Sequence, residues 1–130
     1  AIDDSFGFSG DVRQATHLSR TLRLLAQQSA DGRARPLCGW SAEMATFVAN
    51  ESLDWVYLDA DHTLAGCMGD LEAWYPKLKS GGILAGHDYV YGWACSVPEA
   101  VRRFMWSIGR DVDKVQTTDG QDSPTFWFMK

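Results

Sequence analysis

Apolar residues recur every three or four positions through Val12, Ala15, Leu18, Leu22 and Leu25. This spacing predicts an amphipathic helix over about 11–29, closed by Asp31-Gly32, with Ala1–Asp3 as the end of a preceding strand. After Pro36 the period changes. The short run Leu37-Cys38-Gly39-Trp40 predicts a strand, and Ser41 stands where it would cap a helix running to Ala49. Leu53–Leu58 is an almost continuous apolar run ending in Asp59. Continuous rather than alternating apolarity predicts a central parallel strand covered on both faces.

Helical spacing returns in Leu64, Cys67, Met68, Leu71, Trp74 and Leu78, with Pro76 expected to kink the last turn and Gly81-Gly82 to end the element. Ile83–Gly86 predicts the next strand, running into His87-Asp88. Pro98 suits a first helical turn, Val101, Phe104 and Ile108 form that helix's buried stripe, and Gly109 ends it. Two closing strands, about 114–118 and 125–129, flank the turn signal Asp119-Gly120. Strands alternating with helices, followed by an antiparallel pair, define an α/β class.

A chain of 130 residues with 45% apolar content fits one domain over 1–130. No apolar run approaches the roughly 20 residues needed to span a bilayer. The opening Ala-Ile-Asp-Asp has neither a basic segment nor an apolar signal core, so a cytoplasmic protein without membrane contact is expected. The net charge of −5 is concentrated in the middle, where residues 43–100 hold nine acidic and two basic groups. Such a segment disfavours nucleic-acid phosphate and suits a cation or a positively charged small molecule. Cys38, Cys67 and Cys95 are odd in number and lack C-x-x-C spacing, so they read as intracellular thiols, and none has a local His partner that would make it a nucleophile.

In open parallel sheets ligands bind beyond the carboxyl ends of the strands. Polar residues collect there: Asp3-Asp4, Ser41, Asp59-Ala60-Asp61-His62 and His87-Asp88. Helix capping would account for Asp61 alone but not for Asp59. Carboxylates at Asp59, Asp61 and Asp88 crowd negative charge unless a cation or basic substrate compensates. The expected ligands are Asp59, Asp61, His87 and Asp88, an oxygen-rich set with one imidazole that suits Mg²⁺, Mn²⁺ or Ca²⁺ better than Zn²⁺. His87, directly at a strand end where Asp88 or Asp61 could orient it, is preferred to His62 as ligand or base. His17 is expected at the surface.

The stretch Leu53-Asp-Trp-Val-Tyr-Leu-Asp-Ala-Asp-His62, followed by Asp70-Leu-Glu-Ala-Trp-Tyr-Pro-Lys-Leu-Lys-Ser-Gly-Gly-Ile-Leu-Ala-Gly-His-Asp-Tyr89, resembles the class I S-adenosylmethionine-dependent methyltransferases. In particular it is similar to the small-molecule O-methyltransferase-like branch, whose members read D-x-D-H and, after a Gly-Gly turn, G-H-D-Y. The resemblance implies a Rossmann-like, mostly parallel sheet with helices on both faces and a C-terminal antiparallel pair. It implies S-adenosylmethionine as cofactor, with Asp3 on the ribose hydroxyls, the Gly39-Trp40-Ser41 corner on adenine, and Asp59 at the same site. His87 and Asp59 become the expected catalytic residues. Mg²⁺ or Mn²⁺ would bind the substrate's oxygens, lower a hydroxyl's pKa and orient it toward the sulfonium methyl.

The family's first strand and its G-x-G-x-G loop are expected before Asp3 and are not in this sequence, so the fold is expected to be truncated at its N-terminus, and a homo-oligomer is expected to cover the exposed strand edge. The leading expectation is methyl transfer to an oxygen, less readily a nitrogen, of a small molecule. The alternatives are a metal-dependent hydrolase or hydroxylase-like activity at the same carboxylate and histidine cluster, and a non-catalytic truncated domain.

Overall fold

In the computed structural model of the chain, residues 12–90, 95–118 and 122–130 are described. The chain divides into two compact units, residues 1–38 and 39–130. The expected first strand, and the turn at Asp119-Gly120, lie outside the described residues.

The first unit contains helices α1 (Val12–Leu24) and α2 (Ala26–Ala30). The single helix expected over 11–29 is divided at Leu25, whose ψ of 2° opens the turn. The division is a bend, because Leu25 N–H still donates to Thr21 O and Ser29 N–H to Leu25 O. Gly32, with φ +71°, takes the left-handed position that follows a helix end.

The run Leu37–Trp40 forms no strand. Trp40 instead precedes α3 (Ser41–Met44) in extended conformation, and its carbonyl accepts the Met44 N–H that opens the helix. A four-residue apolar run carries no ladder of its own, and here the helix start claims its last carbonyl. The helix expected to reach Ala49 tightens into a 3₁₀ turn at Ala45–Phe47 and stops.

The second unit continues with β1 (Leu53–Leu58), α4 (Leu64–Trp74), β2 (Leu78–Gly86), α5 (Val97–Ser107), β3 (Gln116–Thr117) and β4 (Phe126–Met129). The sheet order is β1-β2-β4-β3, with β1 and β2 parallel and the other two pairs antiparallel. The α/β class and the closing antiparallel pair are therefore as expected. Leu84 faces Val56 on β1 and Phe128 on β4 across the ladder. These side chains join Cys67 and Leu71 of α4, and Val101, Phe104 and Met105 of α5, in one apolar core. Burying a side chain of this size contributes about 1.5–3 kcal/mol, so the core holds both helices to one face of the sheet.

On the other face β1 departs from expectation. Val56 is buried, whereas Trp55 and Tyr57 are 66% and 45% exposed. Among the described residues β1 is an edge strand, and within residues 39–130 helices α4 and α5 both pack on the face that carries Val56, Leu84 and Phe128.

Gly81-Gly82 does not end a helix. Pro76 has already done so within a 3₁₀ turn, Tyr75–Lys77, where a missing N–H is tolerated. The glycines lie inside β2, where the register against β1 shifts between Leu53 and Trp55 and Gly81 takes φ +77°. This is a bulge, the place in a strand where a glycine's positive φ is needed. Among the described residues no helix is long and apolar enough to cross a membrane.

Candidate functional site

The β1–α4 loop and the residues following β2 lie side by side, because the β1/β2 ladder extends one step beyond the strands through His87 N–H to Leu58 O, 3.0 Å. Asp61 shapes the first loop. Its Oδ1 accepts the Thr63 N–H at 2.8 Å, and Thr63 Oγ1 in turn caps α4 by accepting the Gly66 N–H at 3.1 Å. A Cβ at Gly66 would fall 2.2 Å from Asp61 Oδ2, so glycine there gives that carboxylate its room.

With Asp61 committed to the helix start, His62 turns toward Asp59 and Asp88. Its Nε2 lies 3.4 Å from Asp59 Oδ1 and 3.2 Å from Asp88 Oδ2. One ligand atom each from Asp59, His62 and Asp88 lie within 4.8 Å of one another. The Nε2 atom is buried, yet it hydrogen-bonds neither carboxylate. The short distances and the missing bonds are compatible: the oxygens approach Nε2 but are not in hydrogen-bonding geometry. A buried nitrogen without a partner is costly, and a cation between it and the two carboxylates would satisfy all three.

His87 takes a different place. Its Nδ1 is 3.2 Å from Asp88 Oδ1, so the two histidines contact opposite oxygens of one carboxylate. Of the expected metal set, the structure brings Asp59 and Asp88 together, with His62 in the imidazole position. Asp61 and His87 stand beside that group and are not part of it. Asp88 is held below the usual carboxylate range, first by a hydrogen bond from Ser123, then by His87 and His62. It also adopts φ +56°, a left-handed backbone uncommon for residues with a side chain but more accessible to Asp than to most.

Sequence reasoning passed over Asp70. It is 6% exposed, on the core side of α4 between Cys67 and Trp74. Burial pushes its carboxyl up, opposed by a hydrogen bond from Ser41 and reinforced by the charge of Asp61. The available signal was an acid on an otherwise apolar helical stripe. A cavity of about 10 Å³ separates Asp70 from His62, His87, Asp59 and Asp61, at the lower limit of the room a water needs.

Ser41 is engaged: its Oγ accepts the Trp74 Nε1–H at 2.9 Å and it hydrogen-bonds Asp70. This ties the corner at Trp40-Ser41 to α4 and leaves the Trp40 ring, about half exposed, as the larger surface there. Asp3 lies outside the described residues. His17 is exposed, as expected.

A family model described as a methyltransferase domain matches residues 3–89. No curated protein matches the chain in sequence. The structure is similar to a candidate rRNA methylase from Clostridium thermocellum, with TM-score 0.61 and 18% identity over 86% of this chain and 69% of that one. It is also similar to a structural-genomics target protein from Corynebacterium glutamicum, with TM-score 0.55 and 16% identity over 87% of this chain. The chain spans 56% of that second protein's length. Since the family match covers more than half of the chain and the fold agrees with it, the chain belongs to the class I S-adenosylmethionine-dependent methyltransferases.

Proposed function

We propose that the site transfers the methyl group of S-adenosylmethionine to an oxygen of a small molecule, with a divalent cation held by Asp59, His62 and Asp88. The observation that carries this reading is the buried, unbonded Nε2 of His62 between two carboxylates. One imidazole with two carboxylates suits Mn²⁺ at least as well as Mg²⁺, because imidazole is the softer donor. When bound, the cation would supply a positive charge that lowers the pKa of a substrate hydroxyl.

The chain's own residues do the rest. Asp88, by bonding Nδ1 of His87, favours the tautomer that leaves Nε2 unprotonated and available as a base. His87 then accepts the hydroxyl proton as the oxygen attacks the sulfonium methyl; the C–O bond forms, the C–S bond breaks, and neutral S-adenosylhomocysteine leaves. Asp59, the most exposed of the three ligands, lies where the substrate oxygen would approach. On the cofactor side the reading assigns Asp3, Trp40, Ser41 and Asp59.

The acidic middle of the chain supports a small substrate over nucleic acid, although the Clostridium protein is described as an rRNA methylase. Self-association in the cytoplasm belongs to the same reading. Among the described residues β1 has a free edge, and Trp55, Ile83 and Met129 stand in register on the exposed face.

The test is calorimetric titration with S-adenosylmethionine with and without Mn²⁺, followed by methyl-transfer assays on small hydroxyl compounds and on RNA. Cation-dependent methylation of a small hydroxyl compound supports the proposal. Methylation of RNA alone, or none in the presence of bound cofactor and cation, overturns it.

A further inference from the structure

The start of α5 reaches both halves of the cluster through two consecutive residues. The Cys95 thiol donates to the carbonyl of Asp88 at 3.1 Å, and the Ser96 N–H donates to the carbonyl of His62 at 2.9 Å. His62 follows β1 and Asp88 follows β2, so these two bonds tie separate loops to one helix end. That end is well anchored, because Val97, Pro98, Ala100 and Val101 are all buried.

Asp88 is the residue so held. Its left-handed φ of +56° is uncommon for a residue with a Cβ, although Asp adopts it more readily than most, and the bonds around it select that conformation. The Asp88 carbonyl accepts the Val90 N–H at 2.7 Å and the Cys95 thiol, while Tyr89 N–H is bonded to Pro124 O. Of the two donors to that carbonyl among the described residues, the thiol alone comes from the anchored helix end. The backbone conformation also fixes the carboxylate, whose two oxygens face His62 and His87.

We propose that Cys95 is a positioning residue for the Asp59–His62–Asp88 cluster: its thiol, fixed at the start of α5, holds Asp88 at the spacing from His62 that cation binding requires. The proposal rests on the cation-assisted reading above. It gives the half-buried thiol a role in geometry, with no chemistry of its own.

The experiment compares the full chain with its Cys95→Ala and Cys95→Ser variants. Mn²⁺ binding is read by electron paramagnetic resonance, and amide exchange at Val90 and Ser96 is read by NMR without metal. Cys95→Ala is expected to weaken Mn²⁺ binding three- to tenfold and to accelerate exchange at Val90 more than at Ser96. Cys95→Ser, which keeps a donor, should recover most of both. Unchanged binding and unchanged Val90 exchange in a folded Cys95→Ala variant would overturn the proposal, and so would a Cys95→Ser variant no better than alanine. If the parent chain binds no Mn²⁺, the cation reading fails by itself; the hold on Asp88 then stands or falls on the exchange data.

Discussion

His62 Nε2 stands 3.2 Å from Asp88 Oδ2, buried and without a hydrogen bond, while His87 addresses the other oxygen of the same carboxylate. The two imidazoles therefore divide one carboxylate between them; in the proposed reading His62 lies on the side of the cation and His87 on the side of the proton acceptor.

That division separates two variants. His62→Gln should weaken Mn²⁺ binding at least tenfold, since it removes a ligand. His87→Gln, which removes an outer partner of a ligand, should weaken Mn²⁺ binding by no more than about tenfold, less than His62→Gln does, and abolish methyl transfer. Parallel calorimetry and activity assays check this; equal losses of Mn²⁺ affinity from both would merge the roles.

Asp70 sets a pH dependence of stability. Its folded carboxyl is raised above the ordinary 3.8, with burial the main cause. A folded state that holds its proton more tightly than the unfolded chain loses stability as pH rises from that ordinary value through the raised one. Asp70→Asn keeps a hydrogen-bonding group for Ser41 and removes the charge. It should melt higher than the parent at pH 8, with the difference shrinking toward pH 4. A difference that is constant across this range would refute the assignment.

The cysteines should react in order of exposure. Cys38 is exposed, Cys95 half-buried and Cys67 buried. Burial, aided by the charges of Asp70, Cys95 and Asp61, pushes the Cys67 thiol up to about 12. At pH 8 its thiolate is on the order of one part in ten thousand, so it should be inert to a thiol reagent until the chain unfolds. Titration in buffer and then in denaturant, with peptide mapping, checks the order. Early labelling of Cys67 would contradict it.

Gly86 stands immediately before His87. A Cβ there would lie 2.6 Å from a ring carbon of Phe126 and 2.8 Å from the Leu58 carbonyl oxygen. Gly86→Ala should cost about 1–3 kcal/mol in urea unfolding, because neither the core ring nor the strand backbone can yield freely. It should also weaken Mn²⁺ binding by displacing the residues that follow. Unchanged stability would show that Phe126 and the Leu58 backbone yield to the added methyl.

The sequence revealed what depends on runs and spacing. Leu53–Leu58, the α4 stripe and the polar residues that follow β1 and β2 were legible because burial follows periodicity. It did not reveal which histidine joins Asp59 and Asp88, because that depends on Asp61 bonding the Thr63 N–H and turning the loop. The exposed face of β1 was hidden too: Trp55 and Tyr57 read as core residues, and only the arrangement of helices decides which side is covered. Leu37–Trp40 shows the converse, a strand-like run whose last carbonyl was taken by a helix start.

The bulge in β2 gives the site a counting rule. Beyond it, Leu84 and Gly86 point into the core while Ile83 faces outward, and the strand ends at Gly86. Side chains on a strand change sides with each residue, so the parity of the insertion decides which of Ile83, Leu84, Ala85 and Gly86 face the core. Deleting one of Gly81-Gly82 would exchange inside for outside over these four residues and misplace His87 and Asp88, which follow them. Deleting both, or adding two residues, would preserve the assignment. Length variation at this point should therefore be tolerated in even steps, and a single-codon deletion should abolish the site even where every residue of the cluster is retained.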